Sequence, residues 1–317
     1  MNTKTIFNSN IGKLLLIGSI ILYIFSALYN EIFIIQEINT GVFRFKNPEL
    51  FNYPIIAVSL GSAIIAFCGI YWASLSKKHK LFEGKKSTLL LLFLVGLGLW
   101  PNMLIQLDLL LATAIILMQV GFFLTIYNQK NINKIVFNGA LYLGLATLIY
   151  LPTIYFFIVF IVGVSIIRPF KLKTYLIALL GLILPMLYTY SIAYVFDYNL
   201  TTMSENIDTL FSYNSYWQGL NYWKLSFIVL FLIGFFFNLV RKAKLTVHVS
   251  NQISYLSFLF VVAFILLFMR GDRVLAVLLI PASLFVGNFY YYFNKKWILE
   301  IGLLLFLIAF SVVKWIV

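Results

Sequence analysis

The chain has 317 residues, of which 62% are hydrophobic and only 10% are charged, and its mean hydropathy is +0.99. A soluble domain carries about 25% charged residues, so this composition excludes a soluble fold. The formal net charge of +13 would suit a nucleic-acid partner, but the positions of the basic residues explain it better, and we expect no nucleic acid. The apolar runs are continuous, and lipid requires internally paired backbone groups. The composition therefore predicts an all-α protein, a polytopic transmembrane helix bundle.

Basic residues recur in the short polar segments that separate the apolar runs. Lys4 and Lys13 precede the first run, which we interpret as a retained helix because no convincing cleavage site follows it. Cytoplasmic loops of membrane proteins are enriched in Lys and Arg, so we place these segments inside. The later clusters are Lys77, Lys78, Lys80, Lys85 and Lys86, then Lys130 and Lys134, then Arg168, Lys171 and Lys173, then Arg241, Lys242 and Lys244, then Lys295 and Lys296.

This charge pattern determines the number of crossings, because the chain between two cytoplasmic clusters must cross the membrane to the outer side and cross back. A crossing needs about 20 residues. We predict about eleven spans in a single integral membrane domain over 1–317. The protein is placed in the bacterial inner membrane, with its amino terminus on the cytoplasmic side. The weak spans at 87–101 and 153–167 are also compatible with re-entrant segments. The spans are 12–29, 54–75, 87–101, 107–127, 135–151, 153–167, 174–196, 224–240, 253–269, 274–293 and 298–316.

Familiar catalytic and cofactor motifs are lacking in the sequence. It has no Walker lysine loop, no GxGxxG after a strand, no HExxH and no GxSxG. His79 and His248 are far apart along the chain, and the one cysteine, Cys68, lies inside an apolar run. We therefore expect no metal, no cofactor and no internal disulfide.

The remaining candidate residues are polar groups predicted to lie at the outer side. Carboxylates support acid and base chemistry, and arginine forks hold phosphate. If the helix ends form one cleft, Glu31 and Glu37 are the candidate catalytic residues, and Arg270 and Arg273 would grip phosphate. Asn102, Gln106, Asp108 and Asp272 complete this polar cleft.

A structural interpretation stands beside each of these assignments. The turn Arg270-Gly271-Asp272-Arg273 is polar because it meets headgroups, and its arginines then contact only lipid phosphate. Arg168, with Lys171 and Lys173, serves as a positive-inside anchor or binds anionic lipid.

The middle of the chain resembles an uncharacterised polytopic inner-membrane family of Bacteroidota, flavobacteria in particular. The resemblance rests on Leu151-Pro152-Thr153-Ile154-Tyr155, on 165–172 (SIIRPFKL) and on 178–185 followed by Asp197. It covers residues 50–200 well and the rest loosely. It implies a location in the membrane and supplies no reaction.

The layout also resembles, more distantly, multispanning glycosyltransferases that use polyprenyl-phosphate sugars. A first helix is followed by a long outer loop that begins with an acidic residue, and short helical hairpins with a proline-containing outer turn come later. The resemblance implies that Glu31 stands where those enzymes place a catalytic carboxylate. The first outer loop lacks their paired Asp motif.

Three hypotheses follow. The first is an enzyme or carrier that handles lipid-linked (polyprenyl-phosphate) sugars in envelope biogenesis. The second is a non-catalytic membrane partner or anchor of an envelope complex, and the third is a transporter or flippase. The scarcity of charge at mid-membrane places the transporter last. Membrane lipids are the partners common to all three.

Overall fold

The computed structural model describes residues 54–98, 106–126, 131–167, 171–196, 222–270 and 274–293. Within these ranges the fold is all-α, with nine α-helices, one short 3₁₀ helix and no strand. The predicted first and last spans, 12–29 and 298–316, lie outside the described residues. The helices are α1 Pro54–Lys78, α2 Lys86–Gly98, α3 Leu107–Thr125, α4 Ile132–Ile149, α5 Phe156–Ile167, α6 Leu172–Val195, α7 Tyr222–Lys242, α8 Val247–Arg270 and α9 Leu275–Tyr292.

Each of the nine predicted spans that fall in the described ranges corresponds to one of these helices, with ends that differ by up to a few residues. The largest shift is in α8, which begins at Val247 rather than at the predicted residue 253. The prediction left the polar residues before 253 out of the span. A helix can nevertheless include them, provided that their side chains have hydrogen-bond partners. His248 therefore lies in the first turn of α8 and not in a loop.

Six of the described helices are long and apolar enough to cross a membrane: α1 from Ser59, α3, α4, α6, α8 to Met269, and α9. The chain is thus a membrane protein. The two spans that looked weak in the sequence are short helices, 13 residues in α2 and 12 residues in α5. At 1.5 Å per residue they measure about 20 Å and 18 Å, less than a bilayer core of about 30 Å.

The break between α4 and α5 has a local cause. Tyr150 is extended, with φ −136° and ψ 101°, and a 3₁₀ helix follows over Leu151–Tyr155 with proline in its first turn. Pro152 has no N–H to continue the ladder of α4 and fits a helix start well. Thr153 closes the turn by donating to the carbonyl oxygen of Tyr150 at 2.9 Å.

Most basic residues of the described ranges gather at one end of the bundle, the exceptions being Lys224 at the start of α7 and Arg270 at the end of α8. Arg241 at the end of α7 pairs with Glu83 in the α1–α2 loop, and Gln252 near the start of α8 contacts the end of α3. We call this the basic end; its residues are Lys77, Lys78, Lys80, Lys85, Lys86, Arg241, Lys242 and Lys244. Only four residues separate Ile126 from Asn131, so α4 also starts there, and Thr174 of α6 donates to Asn133 of α4 at 3.3 Å.

The core of the bundle is built around α9, which is buried along nearly its whole length. It packs against α2, α3, α7 and α8. Two polar contacts join spans inside the apolar core. Trp72 of α1 donates to the Ser283 hydroxyl of α9 at 3.2 Å, and the Gln119 amide of α3 lies 3.1 Å from the Tyr255 hydroxyl of α8.

Helix α6 lies at the edge of the bundle and packs mainly against α4. The contact is close, since a Cβ added to Gly181 would lie 2.6 Å from the carbonyl oxygen of Phe137. Most of the remaining surface of α6 is apolar and exposed, including Leu172, Leu176, Leu180 and Leu187. In a bilayer such a face is solvated by lipid tails.

Candidate functional site

The structure reaches only part of the predicted outer cleft. Glu31, Glu37, Asn102, Arg168, Asp272 and Arg273 lie outside the described residues. Gln106 and Asp108 stand half-buried at the start of α3, and Arg270 is the last residue of α8. Their predicted roles therefore stay predictions.

Helix packing does relate the two polar turns of that cleft. The α2–α3 connection and the α8–α9 connection both lie at the end opposite the basic end, because α2 and α8 start from the basic end. Helix α9 packs against α2 and α3 as well as α8. The residues 99–105 and 271–273 thus connect helices that all contact or include α9.

The polar side chains with the most contacts lie at the basic end, where sequence analysis placed only anchoring charges. Glu83 is one of only two acidic residues in the described ranges, the other being Asp108. Its carboxylate accepts from Arg241 Nη2 at 2.6 Å and also from the Tyr292 hydroxyl. The Arg241 guanidinium lies 4.1 Å from the centre of the Tyr292 ring and donates to its hydroxyl at 2.7 Å. The contact joins the α1–α2 loop to the ends of α7 and α9.

The α1–α2 loop is positioned by a C-terminal cap on α1. Lys80 has φ 56°, the Leu81 N–H donates to the Ser76 carbonyl at 2.9 Å, and the Lys80 N–H donates to the Lys77 carbonyl at 3.2 Å. This pair of bonds is a Schellman motif, which usually carries glycine at the left-handed position. The cap turns the chain so that Leu81 is buried in the core. The Lys77 ammonium then holds the carbonyl oxygens of Glu83 and Gly84 at 3.3 Å and 3.2 Å.

Two buried asparagines lie just inside this ion pair and join α7 to α9. Asn238 donates to the carbonyl oxygens of Gly234 at 2.8 Å and Phe285 at 2.9 Å. Asn288 donates to Asn238 Oδ1 at 2.9 Å and to the carbonyl oxygen of Leu81 at 3.2 Å. Both side chains are fully buried, and these bonds satisfy both amide nitrogens and Asn238 Oδ1, while Asn288 Oδ1 has no hydrogen-bond partner among the described residues.

A second polar junction joins α1, α3 and α8. Gln252 Nε2 lies 2.9 Å from the carbonyl oxygen of Leu124 and 3.3 Å from His79 Nδ1. His79 is 8% exposed and follows α1 directly, outside the spanning segment. Burial lowers the pKa of His79, and the charges of Lys78 and His248 lower it further. The two histidines that are distant in sequence are thus near enough to interact.

Sequence reasoning missed this network because it searched for ionisable groups and catalytic motifs. The available signal was a set of amides inside apolar runs: Asn238 in α7, Gln252 in α8 and Asn288 in α9. An amide buried in such a run needs a partner from another helix. Among the described residues no three His, Cys, Asp or Glu side chains converge as a metal site would require.

Comparison with known proteins gives one match. Neither a curated protein nor a solved structure matches this chain. A family model, described as "Family of unknown function (DUF6427)", matches residues 10–316. This agrees with the expected resemblance to an uncharacterised membrane family, and it supplies no activity. Since the match spans nearly the whole sequence, the chain belongs to the family of unknown function DUF6427.

Proposed function

We propose that this chain is a multi-pass protein of the bacterial inner membrane whose outer end handles polyprenyl-phosphate-linked sugars in envelope biogenesis. The orientation is supported by the basic end, which gathers eight Lys and Arg residues from three segments of the chain. Under the positive-inside rule this end faces the cytoplasm. The opposite end, with Asp108 and the close of α8 at Arg270, then faces the periplasm.

The observation that carries the outer site is the position of α9 between two polar turns. Because α9 contacts both α2 and α3, the turn at 99–105 and the turn at 271–273 belong to packed neighbours at one end. The half-buried Asp108 therefore approaches the same end as Arg270. A carboxylate at the same end as two arginines would suit a ligand that carries phosphate next to hydroxyl groups.

The chemistry of the site is divided among three groups. Arg270 and Arg273 hold the phosphate, because a guanidinium fork matches two phosphate oxygens. Glu31 or Glu37 takes the proton of the acceptor hydroxyl as that oxygen bonds to the anomeric carbon of the donor sugar. The bond from this carbon to the phosphate oxygen breaks, and polyprenyl phosphate leaves with its electron pair. Asn102, Gln106, Asp108 and Asp272 bind sugar hydroxyls. Since all of these side chains are supplied by the chain itself, no cofactor is needed.

The first experiment tests orientation by labelling single cysteines from outside the cell on a Cys68→Ser background. Cysteines replacing Ser212 and Gly271 should be labelled, and a cysteine replacing Ser250 should not. Labelling at position 250 alone would put the Arg270–Arg273 turn in the cytoplasm and overturn the proposal.

The second experiment tests the function in a strain that depends on a plasmid copy of the gene. Arg273→Ala, Glu31→Gln and Glu37→Gln are compared with Lys224→Ala, a cation in the first turn of α7 that is not among the predicted cleft residues. Loss of a phosphate-binding arginine or of the base should lower envelope glycan labelling at least about tenfold and raise lipid-linked precursors. If all three variants give the same glycan labelling as Lys224→Ala, the enzyme hypothesis is wrong. A non-catalytic partner of an envelope complex is then favoured.

A further inference from the structure

The junction of α1, α3 and α8 at the basic end contains a histidine whose protonation state is fixed by its neighbours. Gln252 could in principle present either its amide nitrogen or its oxygen to His79, since the two are similar in shape. The backbone decides between them. The carbonyl oxygen of Leu124 lies 2.9 Å from the Gln252 terminal atom that also faces His79. A carbonyl accepts only, so that terminal atom must be the donating nitrogen.

The orientation of Gln252 in turn determines the tautomer of His79. A donating amide requires that His79 Nδ1 accepts, which places the imidazole proton on Nε2 and leaves the ring neutral. His79 Nε2 and Gln252 Oε1 are both buried and have no hydrogen-bond partner among the described residues. The junction therefore holds the neutral ring through one accepting nitrogen.

We propose that this junction is a proton-sensitive lock, closed while His79 is neutral and opened when the ring is protonated. A proton on Nδ1 would direct an N–H against the N–H groups of Gln252, so the contact between α1 and α8 is lost. Keeping it would require Gln252 to turn its oxygen toward His79, which would set that oxygen against the Leu124 carbonyl. Either way one of the three helices loses its polar contact at the basic end.

The charged surroundings of His79 favour the neutral ring. Lys78 on α1 and His248 on α8 are the ionisable groups that act on it, and both oppose a second positive charge. The side of α3 that faces the junction contributes the Leu124 carbonyl, which is bound to Gln252. Glu83 is held by Arg241 and Tyr292. Within the described part of the chain no carboxylate pairs with His79.

The pH dependence of stability follows from the direction of the shift. The pKa of His79 is lowered in the folded protein from its ordinary value of 6.5. Above that value neither state binds the proton, and the full stability is present. As the pH falls below 6.5, the unfolded chain binds a proton that the folded chain refuses, so stability is lost until the pH reaches the folded pKa.

The test follows thermal unfolding of the purified full chain in detergent micelles between pH 8 and pH 5. In the wild type the unfolding equilibrium constant should rise as the pH falls below 6.5, by at most about tenfold per pH unit, the limit for one proton. For a chain of this size that corresponds to a fall of roughly 2 °C in Tm per pH unit. His79→Gln keeps an accepting oxygen without a titrating group and should remove this fall. His248→Gln is the matched control and should retain it.

A second variant tests the geometry rather than the presence of a histidine. Gln252→Glu supplies an acceptor for the protonated ring, so the sign should reverse and Tm should rise as the pH falls from 8 to 6. An unchanged fall in His79→Gln, or a wild-type Tm that is flat between pH 7.5 and 5.5, would overturn the proposal. A buried carboxylate at 252 would by itself raise Tm as the pH falls, so the rise must be smaller in the double variant His79→Gln/Gln252→Glu. If His79→Gln does not fold, the wild type decides alone, because a flat Tm between pH 7.5 and 5.5 overturns the proposal without any variant.

Discussion

Helices α6 and α9 are alike in sequence and opposite in environment. Both are apolar, both are long enough to cross a membrane, and each contains a proline, Pro185 in α6 and Pro281 in α9. Nearly every side chain of α9 is buried, whereas most of those of α6 are exposed. Hydropathy alone therefore does not tell a central span from an edge span, since lipid tails are as apolar as a core of leucine.

The polar residues of the two helices do distinguish them. In α9, Ser283 accepts from Trp72 of α1, and Asn288 donates to Asn238 of α7. In α6, Thr189 and Ser191 donate to carbonyl oxygens four residues earlier in the same helix, those of Pro185 and Leu187. The inter-helix polar contacts of α9 thus lie along its buried length, whereas those of α6 lie only in its first turn, where Thr174 donates to Asn133 of α4 and the Tyr175 hydroxyl contacts Ser165 of α5.

The sharpest test of this comparison removes the same side chain from each helix. Leu278 of α9 is fully buried, and Leu180 of α6 is 60% exposed. Leu278→Ala should lower the free energy of unfolding by about 2–5 kcal/mol, because it leaves a cavity in a packed core. Leu180→Ala should cost less than about 1 kcal/mol, since lipid or detergent fills the space. Equal losses in a denaturant titration would show that α6 is covered by protein.

A smaller effect is expected where α6 does have a neighbour. Gly181→Ala would place a Cβ 2.6 Å from the carbonyl oxygen of Phe137 and 3.0 Å from Ala140 Cβ. Backbone cannot move aside as a side chain can, so α4 and α6 must separate at a cost of about 1–3 kcal/mol. The control is again Leu180→Ala, one residue away on the exposed side. If Gly181→Ala lowers the free energy of unfolding by less than Leu180→Ala does, the close contact between α4 and α6 is not present in the folded protein.

Breaking the asparagine pair between α7 and α9 should lower the free energy of unfolding by less, about 1–2 kcal/mol, because polar contacts between membrane helices are individually modest. Asn288→Leu leaves the Leu81 carbonyl and Asn238 Oδ1 without their donor. The measurement is a double-mutant cycle with Asn238→Leu, which isolates the coupling of the two amides. Strict additivity would mean that the two side chains do not interact in the folded protein. Ser191→Ala in α6 serves as the control and should change stability little.

The nine helices within the described ranges could be found from the sequence because charge and hydropathy vary together along it. Within these ranges the basic clusters lie at or next to helix ends, and the helix over 135–167 is interrupted next to Pro152, between the predicted spans 135–151 and 153–167. Which helix lies in the centre could not be found this way. Burial in a bundle depends on contacts between distant parts of the chain, and α9 differs from α6 only in residues such as Ser283 and Asn288.

The candidate sites were predictable to a lesser degree. The outer residues were predicted to lie in turns at one end, and most of them fall outside the described residues, so the packing of α9 against α2, α3 and α8 relates only the helices that flank two of those predicted turns. The junction of His79 with Gln252 needed the fold, because 173 positions separate the two residues. The ion pair of Arg241 with Glu83 needed it for the same reason, with a separation of 158 positions. The sequence does show Glu83 between Lys80 and Lys85, but it does not show which distant basic residue pairs with it.

The smallest effect is expected at the ion pair that closes the basic end of α9. Glu83→Gln keeps an oxygen for Arg241 and removes the charge. The Glu83 side chain is 48% exposed, so water and salt screen its attraction to Arg241, and the loss should be below about 1 kcal/mol. The same loss should shrink further in ~1 M salt, where the Debye length is only about 3 Å.

Arg241 behaves differently, because its side chain is 11% exposed and covers the Tyr292 ring. Arg241→Ala removes that packing as well as the charge and should cost more than Glu83→Gln at every salt concentration. If instead Glu83→Gln is the more damaging change, the carboxylate has a role beyond this pair, and the basic end is the place to look for function.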